Sequence, residues 1–451
     1  MNRRELLVAA MTVSSCAILN PSFMSLLAAK RKSDTNGYKV LVIKIDDIGR
    51  NKYLEWSADG LTPELDLLTP EALDYVNFQA APRCGVLRCT TLVGAEAHAP
   101  SNLGGRNCVW ADTWPGPAGT WIGEGMPGYR VVIGKLHVMG GAPYPDTVLR
   151  GCDEFHGCHA QLDTQEGTPQ KNFSHYHWWE TSILTGQPKM IQLHANEFNT
   201  NVLNARAIDA INNGTEFIDF NYHSVHLPLN PPPPNDEPIG VQYVGGTTFE
   251  EKAREYMRHL SFRSAELITY ARAAGYVVIM IGDNGPLGEG KGTSTQLGLN
   301  TPCFVWAPGL VGGQSTRLVG AQDIWATVRE LRGAPLHVSH GGTVTLGGEH
   351  SWSFVDDIFP VVFGARPQRT YLRTDEFPKI GAQPDTTDWV RVVRNAQYKL
   401  VVDNDPVTGN VTKFHDLIAD PGEATNLFGT SMTAEQQNAF NRLQLKLPTV
   451  P

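Results

Sequence analysis

The ten residues YKVLVIKIDD, at positions 38–47, indicate the class of fold. The apolar, β-branched run from Val40 to Ile45 predicts a strand buried on both faces, as in a parallel sheet covered by helices. Asp46 and Asp47 follow directly at the carboxyl end of this strand, which is where open α/β sheets bind their ligands. The stretch therefore predicts an α/β protein with a polar site at the end of a central strand.

The same strand pattern recurs downstream and alternates with helical patterns. Buried strands are predicted in YRVVIGK (129–135), TEFIDFNYH (215–223), YVVIMIGDNG (276–285) and CFVWAP (303–308), and helices over 62–76, 248–275 and 321–333. Thr62 as N-cap and Pro63 at the first position are typical of a helix start. The alternation predicts an α/β fold with a large, mixed but mainly parallel sheet flanked by helices.

The chain changes character after residue 340. Glycine-rich GGTVTLGGEH is followed by three short strand-like segments, WVRVVRNAQ, YKLVVDND and VTKFHDL. They predict a small antiparallel sheet that packs against the main domain. We therefore expect three parts: an export segment over 1–35, the main α/β domain over 36–340 and a smaller C-terminal subdomain over 341–451.

Composition excludes some classes of function. The chain has 451 residues, 41% of them hydrophobic and 18% charged, as in soluble globular proteins. Its formal net charge of -9 argues against a nucleic-acid partner, because binding to a phosphate backbone needs clustered Lys and Arg.

The first residues, MNRRELLVAAMTVSSCAIL, indicate export. Arg3 and Arg4 precede an apolar run that is too short to cross a bilayer and resembles the core of a twin-arginine signal. The segment VSSC, ending at Cys16, also resembles a lipoprotein cleavage site. We expect a periplasmic or extracellular protein that contacts a membrane only through this signal or a lipid anchor at Cys16.

Seven cysteines occur without a CxxC pair, so no zinc or redox motif is indicated. Cys152 and Cys158 are close enough in sequence to form a small disulfide-closed loop in an oxidising compartment. Two free buried thiols are the alternative, and the sequence leaves both open.

Acidic and amide side chains end two of the predicted strands. Asp46 and Asp47 follow the first, and Asp283 and Asn284 follow the strand that begins near Tyr276. An all-oxygen ligand set suits a hard cation such as Ca²⁺ or Mg²⁺. A helix cap and a turn are the alternatives for the two pairs taken singly.

Basic side chains occur at other predicted strand ends and loops. Lys135 and His137 in GKLH, His226 in VHLP and Lys291 in GEGKGT would together bind a tetrahedral anion and supply a proton to a leaving oxygen. Singly, each is equally compatible with a surface lysine or a core histidine.

Cys84 and Arg88, in CGVLRC, are spaced to lie on one face of a short helix. A guanidinium one turn from a thiol at a helix N-terminus lowers the thiol pKa and orients the group. A buried structural cysteine beside a surface arginine is the alternative.

Taken in order, these segments resemble the sulfatase family of the alkaline phosphatase superfamily. The resemblance extends from residue 38 to residue 428 and is carried by VIKIDDIG, APRCGVLRCTTLVG, GKLHVMG, TVLRGCDEFHG, VHLP, IGDNGPLGEGKG, and QYKLV with FHDLIADPGEATNL. It implies an alkaline phosphatase-like fold and hydrolysis of sulfate esters.

The resemblance also implies a role for each candidate residue. Asp46, Asp47, Asp283 and Asn284 would hold one divalent cation, most often Ca²⁺ in this family. Cys84 would be converted by a formylglycine-generating enzyme to formylglycine, whose hydrated aldehyde attacks sulfur. Arg88 would hold this nucleophile, Lys135 and His137 would support the hydrate and the sulfate, Lys291 would contact the sulfate, and His226 would protonate the departing alcohol.

Three departures from the family pattern concern the site. Val86 and Leu87 replace the proline and the small polar residue of the modification signal, Val225 replaces the first proline of Pro-His-x-Pro, and QLGLNTP (296–302) lacks the charges of the family's Glu-Gly-Gly-x-Arg-Val-Pro. Whether Cys84 is converted is therefore open.

Three functions follow as alternatives. The leading one is a sulfate ester hydrolase; a phosphate or phosphonate ester hydrolase of the same superfamily is the second. The third is a sulfatase-like binding protein whose Cys84 is never converted. Trp178 and Trp179, with Trp110, Trp114 and Trp121, would offer stacking surfaces for a sugar, and core or loop anchors are the alternative for these residues. The stacking interpretation mildly favours a sulfated carbohydrate over aryl or lipid sulfates.

Overall fold

A computed structural model describes most of the chain outside the N-terminal segment. The described residues are 37–96, 121–138, 151–158, 175–182, 189–195, 197–227, 229, 232, 245–336, 338–340, 343–345, 350–376, 390–403 and 410–447. The predicted export segment with Cys16, and Trp110 and Trp114, lie outside them. Within these ranges, no helix combines the length and the apolar character that crossing a membrane requires.

The strands are short and extend over the whole described chain. They are β1 Val40–Ile45, β2 Leu73–Tyr75, β3 Phe78–Gln79, β4 Arg130–Lys135, β5 Glu154–Cys158, β6 His175–Ser182, β7 Lys189–Ala195, β8 Phe217–Asn221, β9 Val277–Gly282, β10 Cys303–Trp306, β11 Gly313–Ser315, β12 Val319–Gly320, β13 Val338–His340, β14 Thr343–Thr345, β15 Leu372–Glu376, β16 Val390–Arg394, β17 Tyr398–Asp403 and β18 Lys413–Asp416.

The helices alternate with these strands in the first three quarters of the chain. They are α1 Arg50–Ala58, α2 Pro63–Leu68, α3 Cys84–Val93, α4 Asn199–Asn212, α5 Phe249–Ala273, α6 Gln296–Leu299, α7 Asp323–Leu331, α8 Val355–Ile358, α9 Pro360–Phe363 and α10 Ala434–Gln444, with a 3-10 turn at Thr69–Glu71.

Ten strands form one mixed sheet, in the order β11-β2-β10-β9-β1-β8-β4-β5-β6-β7. Strands β9, β1, β8, β4 and β5 run parallel at its centre, and antiparallel β10, β6 and β7 extend it on both sides. The predicted mixed, mainly parallel sheet is confirmed. Because β1 and β9 are parallel neighbours, Asp46 and Asp283 lie at the same edge.

Both faces of the sheet are covered, which explains why β1 is apolar except for Lys44, whose buried ammonium pairs with Asp219 of β8 at 2.6 Å. Val40 and Val42 face a core cluster that includes Leu87 of α3. Leu41 and Ile43 face a second cluster, formed with helices α4 and α5. Successive side chains of a strand point to opposite faces, so a strand between two helical layers is mostly apolar on both faces.

The helix expected over 62–76 is wrong beyond Leu68. The chain forms α2, a 3-10 turn at Thr69–Glu71 and then strand β2. Pro70 has no N–H to donate to the carbonyl of Asp66, so the α-helical hydrogen-bond ladder stops at this point. Strand β2 then takes its place between β10 and β11, a tertiary pairing that local propensity does not reveal.

The C-terminal strands form a separate four-stranded antiparallel sheet in the order β15-β16-β17-β18, as predicted. The two cysteines whose pairing was open are free buried thiols: Cys152 precedes β5 and Cys158 ends it. Trp121 is 1% exposed, so it is part of the core and the expectation that it offers a stacking surface is wrong.

Helix α5 buries a histidine that should make the fold sensitive to acid. His259 is 1% exposed and its ring lies edge-on to Phe198, 5.1 Å between centroids. Burial, with Arg263 and Arg258 nearby, lowers the pKa of His259 to about 3. The unfolded chain takes up a proton there near pH 6.5, whereas the folded chain does not, so stability falls as the pH is lowered from about 6.5 towards 3.

We expect His259→Gln to reduce this acid sensitivity. Between pH 7 and pH 5, the free energy of unfolding should fall by about 2 kcal/mol less in the variant than in the parent chain. Urea unfolding of both proteins at the two pH values measures the difference. An equal fall in both proteins would show that His259 is not the group responsible.

Candidate active site

Helix α3 places Cys84 at the edge of the sheet where the acidic residues lie. Cys84 is the first residue of the helix, which confirms the predicted helical placement of Cys84 and Arg88. The helix ends at Gly94, whose φ of 65° is the left-handed conformation that glycine adopts readily at helix ends. The Sγ atom of Cys84 lies 3.1 Å from Nδ1 of His137, so thiol and imidazole are in direct contact.

The side chain of Arg88 joins three segments of the site. Its Nη1 donates to Oδ2 of Asp283 (2.9 Å) and to the carbonyl of Cys84 (3.2 Å). Its Nε donates to the carbonyl of Lys135 (3.0 Å), and its Nη2 is bonded to Asp46. Arg88 is 1% exposed, so a single buried guanidinium connects α3 to the ends of β1, β4 and β9. The two carboxylates maintain its charge, and the pKa of Arg88 is raised despite its burial.

Two lysines pair with the remaining carboxylate oxygens. Lys135 Nζ donates to Asp46 Oδ2 and Lys291 Nζ to Asp47 Oδ1, both at 2.5 Å. Three buried carboxylates therefore face three cations, Arg88 included, and their formal charges cancel. A pocket balanced in this way gains net positive charge from any added divalent cation, which favours an anionic substrate.

The fourth predicted ligand, Asn284, carries an unused acceptor. Its Nδ2 donates to Asp47 Oδ1 (2.8 Å), whereas its Oδ1 is buried without a hydrogen-bond partner in the described chain. Asp47 has a φ of 55°, a left-handed backbone that is uncommon outside glycine and found at functional sites. Its N–H donates to Asp283 Oδ1 at 2.8 Å, so the two strand ends are fastened together.

These residues fit a hard cation. The donors are carboxylate and amide oxygens, and an orphaned buried carbonyl oxygen is the kind of atom that a cation satisfies. No group of three or more His, Cys, Asp or Glu side chains in the described ranges is already arranged around a metal position. The carboxylates instead hydrogen-bond to Arg88, Lys135 and Lys291, which a bound cation would have to replace at some oxygens.

Burial and neighbouring charges shift the pKa values of the two carboxyls that contact Arg88 in opposite directions. Burial opposes ionisation of Asp46, but Arg88 and Lys135 hold its pKa well below its ordinary value. Burial and the charge of Asp46 raise the pKa of Asp283 well above its ordinary value. A cation at this place would favour ionisation of both carboxyls.

The histidines of the site are neutral near pH 7. Burial, then Lys135 and Arg88, lower the pKa of His137 well below its ordinary range. Burial and then Lys135 lower the pKa of His226 to about 4. His226 Nδ1 lies 2.7 Å from the carbonyl oxygen of Leu227, so Nδ1 carries the proton and Nε2 the lone pair.

The loop that carries Lys291 is tightly packed and is fastened by the C-terminal part of the chain. A Cβ at Gly285 would lie 2.0 Å from the carbonyl oxygen of Leu297, so only glycine fits there. Glu423 accepts the N–H of Gln296 (2.6 Å) and pairs with buried Lys399. Glu423 thus connects the second sheet to the segment that follows Lys291.

The structure brings together the residues that the sequence singled out. Direct contacts join nine of them: Asp46, Asp47, Cys84, Arg88, Lys135, His137, Asp283, Asn284 and Lys291. His226 lies within electrostatic range of Lys135, Asp47 and Lys291 without a direct contact to them in the described chain. Sequence reasoning missed His223 and Glu423; the only signal for His223 was its place three residues before His226 at the same strand end.

Comparison with known proteins finds sulfatases among the similar chains. No family model matches the chain. The human N-acetylgalactosamine-6-sulfatase is 25% identical over 338 residues, which cover 65% of this chain and 62% of that protein. The mouse protein of the same name is 23% identical over 381 residues, covering 72% of this chain and 68% of that protein.

Solved structures show the same fold. The PsFucS1 sulfatase from Pseudoalteromonas sp. superposes with a TM-score of 0.68 and 16% identity, covering 96% of each chain. A structure described in complex with its substrate D-glucosamine-2-N,6-O-disulfate has a TM-score of 0.63 and 14% identity, covering 91% of this chain and 97% of that chain. The chain is similar in sequence to these sulfatases and has the fold of the solved ones. It spans less than two thirds of the human relative's length.

The fold itself does not explain why proline is absent from position 86. Val86 is the third residue of α3 and 5% exposed, in the core cluster on that face of the sheet. The first N–H groups of a helix have no partner within the helix, so proline is tolerated there. Valine instead contributes apolar packing at this position.

Proposed function

We propose that this protein hydrolyses sulfate esters with the group at residue 84 as its nucleophile. The observation that carries the proposal is the buried contact set of Arg88, which holds the backbone of Cys84 and two candidate cation ligands, Asp46 and Asp283, around one guanidinium. A structural cysteine needs no such surroundings. Preorganised cations beside a reacting centre stabilise the negative charge that spreads over the oxygens during S–O cleavage.

We propose one divalent cation, Ca²⁺ with Mg²⁺ as the alternative, held by Asp46, Asp47, Asp283 and Asn284. When bound, it would act as a Lewis acid that polarises an oxygen of the sulfate group. The orphaned Asn284 Oδ1 and the oxygen-only donor set support this choice.

The cationic side chains would bind and orient the ester. Lys291 reaches the site from its own loop and is bonded to a carboxylate that the cation would engage, which frees its ammonium for the sulfate oxygens. Lys135 is likewise bonded to Asp46, and a cation at Asp46 would free its ammonium for the sulfate oxygens. His137 contacts the Sγ of Cys84 and would orient the group formed there.

His226 is the candidate proton donor to the leaving alcohol. Its imidazole is neutral in the unliganded protein, since burial and Lys135 lower its pKa to about 4. A negative ester beside the ring raises that pKa. We infer that His226 gains the proton it donates only when the substrate is in place.

We propose that Cys84 is converted to formylglycine by a formylglycine-generating enzyme. The aldehyde would supply, as its hydrate, a hydroxyl nucleophile that a thiol does not provide. If Cys84 stays a thiol, the same pocket makes the chain a binding protein for sulfate esters.

The substrate class that we propose is a sulfated carbohydrate. The named activity of the curated relatives and the ligand of one structural relative are sulfated amino sugars, which supports this choice. We also propose that the chain is exported to the periplasm or beyond, that residues 36–340 form the catalytic domain, and that residues 341–451 form its subdomain.

Two measurements test the proposal together. The mass of the peptide that carries residue 84, from protein made in its native host, should be about 18 Da lower than the thiol form. The same protein should hydrolyse a nitrophenyl sulfate, and faster than the matching nitrophenyl phosphate. An intact thiol with no turnover would refute the hydrolase, and faster turnover of the phosphate would favour the phosphatase alternative.

Substitution of Val86 should affect conversion more than folding. In a host that has the modifying enzyme, we expect Val86→Pro to increase the fraction of aldehyde at residue 84 and to change the free energy of unfolding by less than about 2 kcal/mol. Val86→Ala is the matched control, since it also removes the valine side chain without restoring proline. Peptide mass spectrometry gives the fraction, and equal conversion in the two variants would contradict the prediction.

A further inference from the structure

One buried imidazole at the site has no role in the reaction described above. His223 is 2% exposed, and its Nδ1 lies 3.0 Å from Oδ1 of Asn199 at the start of α4. Its Nε2 is buried and lacks a hydrogen-bond partner throughout the described residues. An unsatisfied buried nitrogen costs free energy, so its presence calls for an explanation.

The protonation of this ring follows from its partner. The amide oxygen of Asn199 only accepts hydrogen bonds, so Nδ1 carries the proton and Nε2 presents its lone pair. Burial, then Lys135, holds the pKa of His223 well below its ordinary range, so the ring is neutral. The neutral His223 ring is stable among positive charges, because the lone pair on Nε2 is attracted to them.

Backbone pairing fixes where this ring lies. Ser224 O accepts the N–H of Asp46 (3.0 Å), and Asp46 O accepts the N–H of Val225 (2.9 Å), so the turn after β8 is bound to the end of β1. On the other side of β8, Gly134 pairs with Asn221, which puts Lys135 and His223 one position apart in register. Lys135 is the strongest charged neighbour of the ring.

Lys135 needs a second acceptor if Asp46 binds a cation. Its ammonium now lies 2.5 Å from Asp46 Oδ2, in a side chain with no exposed surface. A cation at Asp46 would compete for that oxygen, and a buried ammonium left without an acceptor is costly. Among the described residues, the His223 Nε2 is an unused acceptor on a ring that feels the charge of Lys135.

We propose that His223 is a positioning residue: its Nε2 accepts a hydrogen bond from Lys135 Nζ when a divalent cation binds Asp46, and so holds the ammonium towards the sulfate. This inference rests on the proposed function, because it requires the cation. On this proposal, His223 makes cation binding more favourable by giving the displaced Lys135 ammonium a new acceptor.

Two substitutions separate the two ring nitrogens. Asparagine places a polar atom near the position of Nδ1 and keeps the bond to Asn199, whereas glutamine reaches the position of Nε2. We expect His223→Asn to weaken Ca²⁺ binding to the full-length protein by about tenfold and His223→Gln to change it by less than about threefold, as measured by titration calorimetry. In a Lys135→Met background, His223→Asn should have no further effect, because the two residues act through one bond.

The outcomes are distinct. If His223→Gln weakened Ca²⁺ binding and His223→Asn left it unchanged, His223 would only support Asn199, and the proposal would be overturned. Additive effects of His223→Asn and Lys135→Met would overturn it as well. If the parent chain binds Ca²⁺ but hydrolyses no sulfate ester, the proposed function fails while this comparison still decides the role of His223. If the parent chain binds neither Ca²⁺ nor Mg²⁺, both are refuted.

Discussion

Replacement of Cys84 by alanine is expected to lower kcat for a sulfate ester by at least about 10⁴-fold, because it removes the only nucleophile that the proposed reaction has. Cys84 Sγ contacts His137, and Arg88 holds the backbone carbonyl of residue 84, which alanine retains. The fold and the charged residues of the site should therefore survive. Steady-state turnover of a nitrophenyl sulfate, with thermal unfolding as a check on folding, measures the effect.

Cys89→Ala is the matched control for this substitution. Cys89 lies on the same helix and is fully buried in the core. Its truncation should lower stability by about 1–2 kcal/mol and leave kcat within a few-fold of the parent value. If Cys84→Ala kept more than about 1% of the activity, the assignment of the nucleophile would be wrong.

Replacement of Asp283 by asparagine is expected to weaken Ca²⁺ binding by at least about 100-fold and to abolish turnover with it. The amide keeps an oxygen that can accept the N–H of Asp47 but cannot take up the negative charge that a bound cation would favour at Asp283. Without that charge, the three cations outnumber the carboxylates and oppose a further positive ion. Metal content of the purified protein and calorimetric titration with Ca²⁺ measure the loss.

Asp74→Asn controls for the loss of a carboxylate in the same sheet. Asp74 on β2 pairs with Arg50 at 2.7 Å and has no contact with the site in the described chain. This variant should bind Ca²⁺ as the parent does. Unchanged metal content in both Asp283→Asn and Asp47→Asn would show that the cation site is elsewhere.

Much of the fold could be predicted from local sequence because several of its central strands are recognisable as mostly apolar segments. The segments that become β1, β8, β9 and β10 are covered on both faces and are mostly apolar, and two of their few polar residues, Lys44 and Asp219, pair with each other in the core. Strand β2 was missed because its three residues form a strand only through their pairing with β10 and β11.

The candidate residues could be found from their chemical types and their positions at strand ends. Because β1 and β9 are parallel neighbours, Asp46 and Asp283 at their carboxyl ends lie at the same edge of the sheet. The position of Arg88 on α3 followed from its spacing to Cys84. The roles of His223 and Glu423 could not be predicted from local sequence. Glu423 acts through Gln296, which is distant in sequence, and the role of His223 depends on an Nε2 that lacks a partner among the described residues.

The sequence by itself determined which segments form the sheet and which residue types stand at its polar edge, because strand and helix periodicity are local properties of the chain. Only the tertiary structure decided which cation pairs with which carboxylate. Arg88 meets Asp283, and Lys291 meets Asp47, across separations of 195 and 244 residues. Among the residues that the structure describes, His223 Nε2 and Asn284 Oδ1 were also left without hydrogen-bond partners. Hydrogen bonding inside a protein depends on which groups packing brings within about 3 Å of each other, and no local pattern encodes that distance.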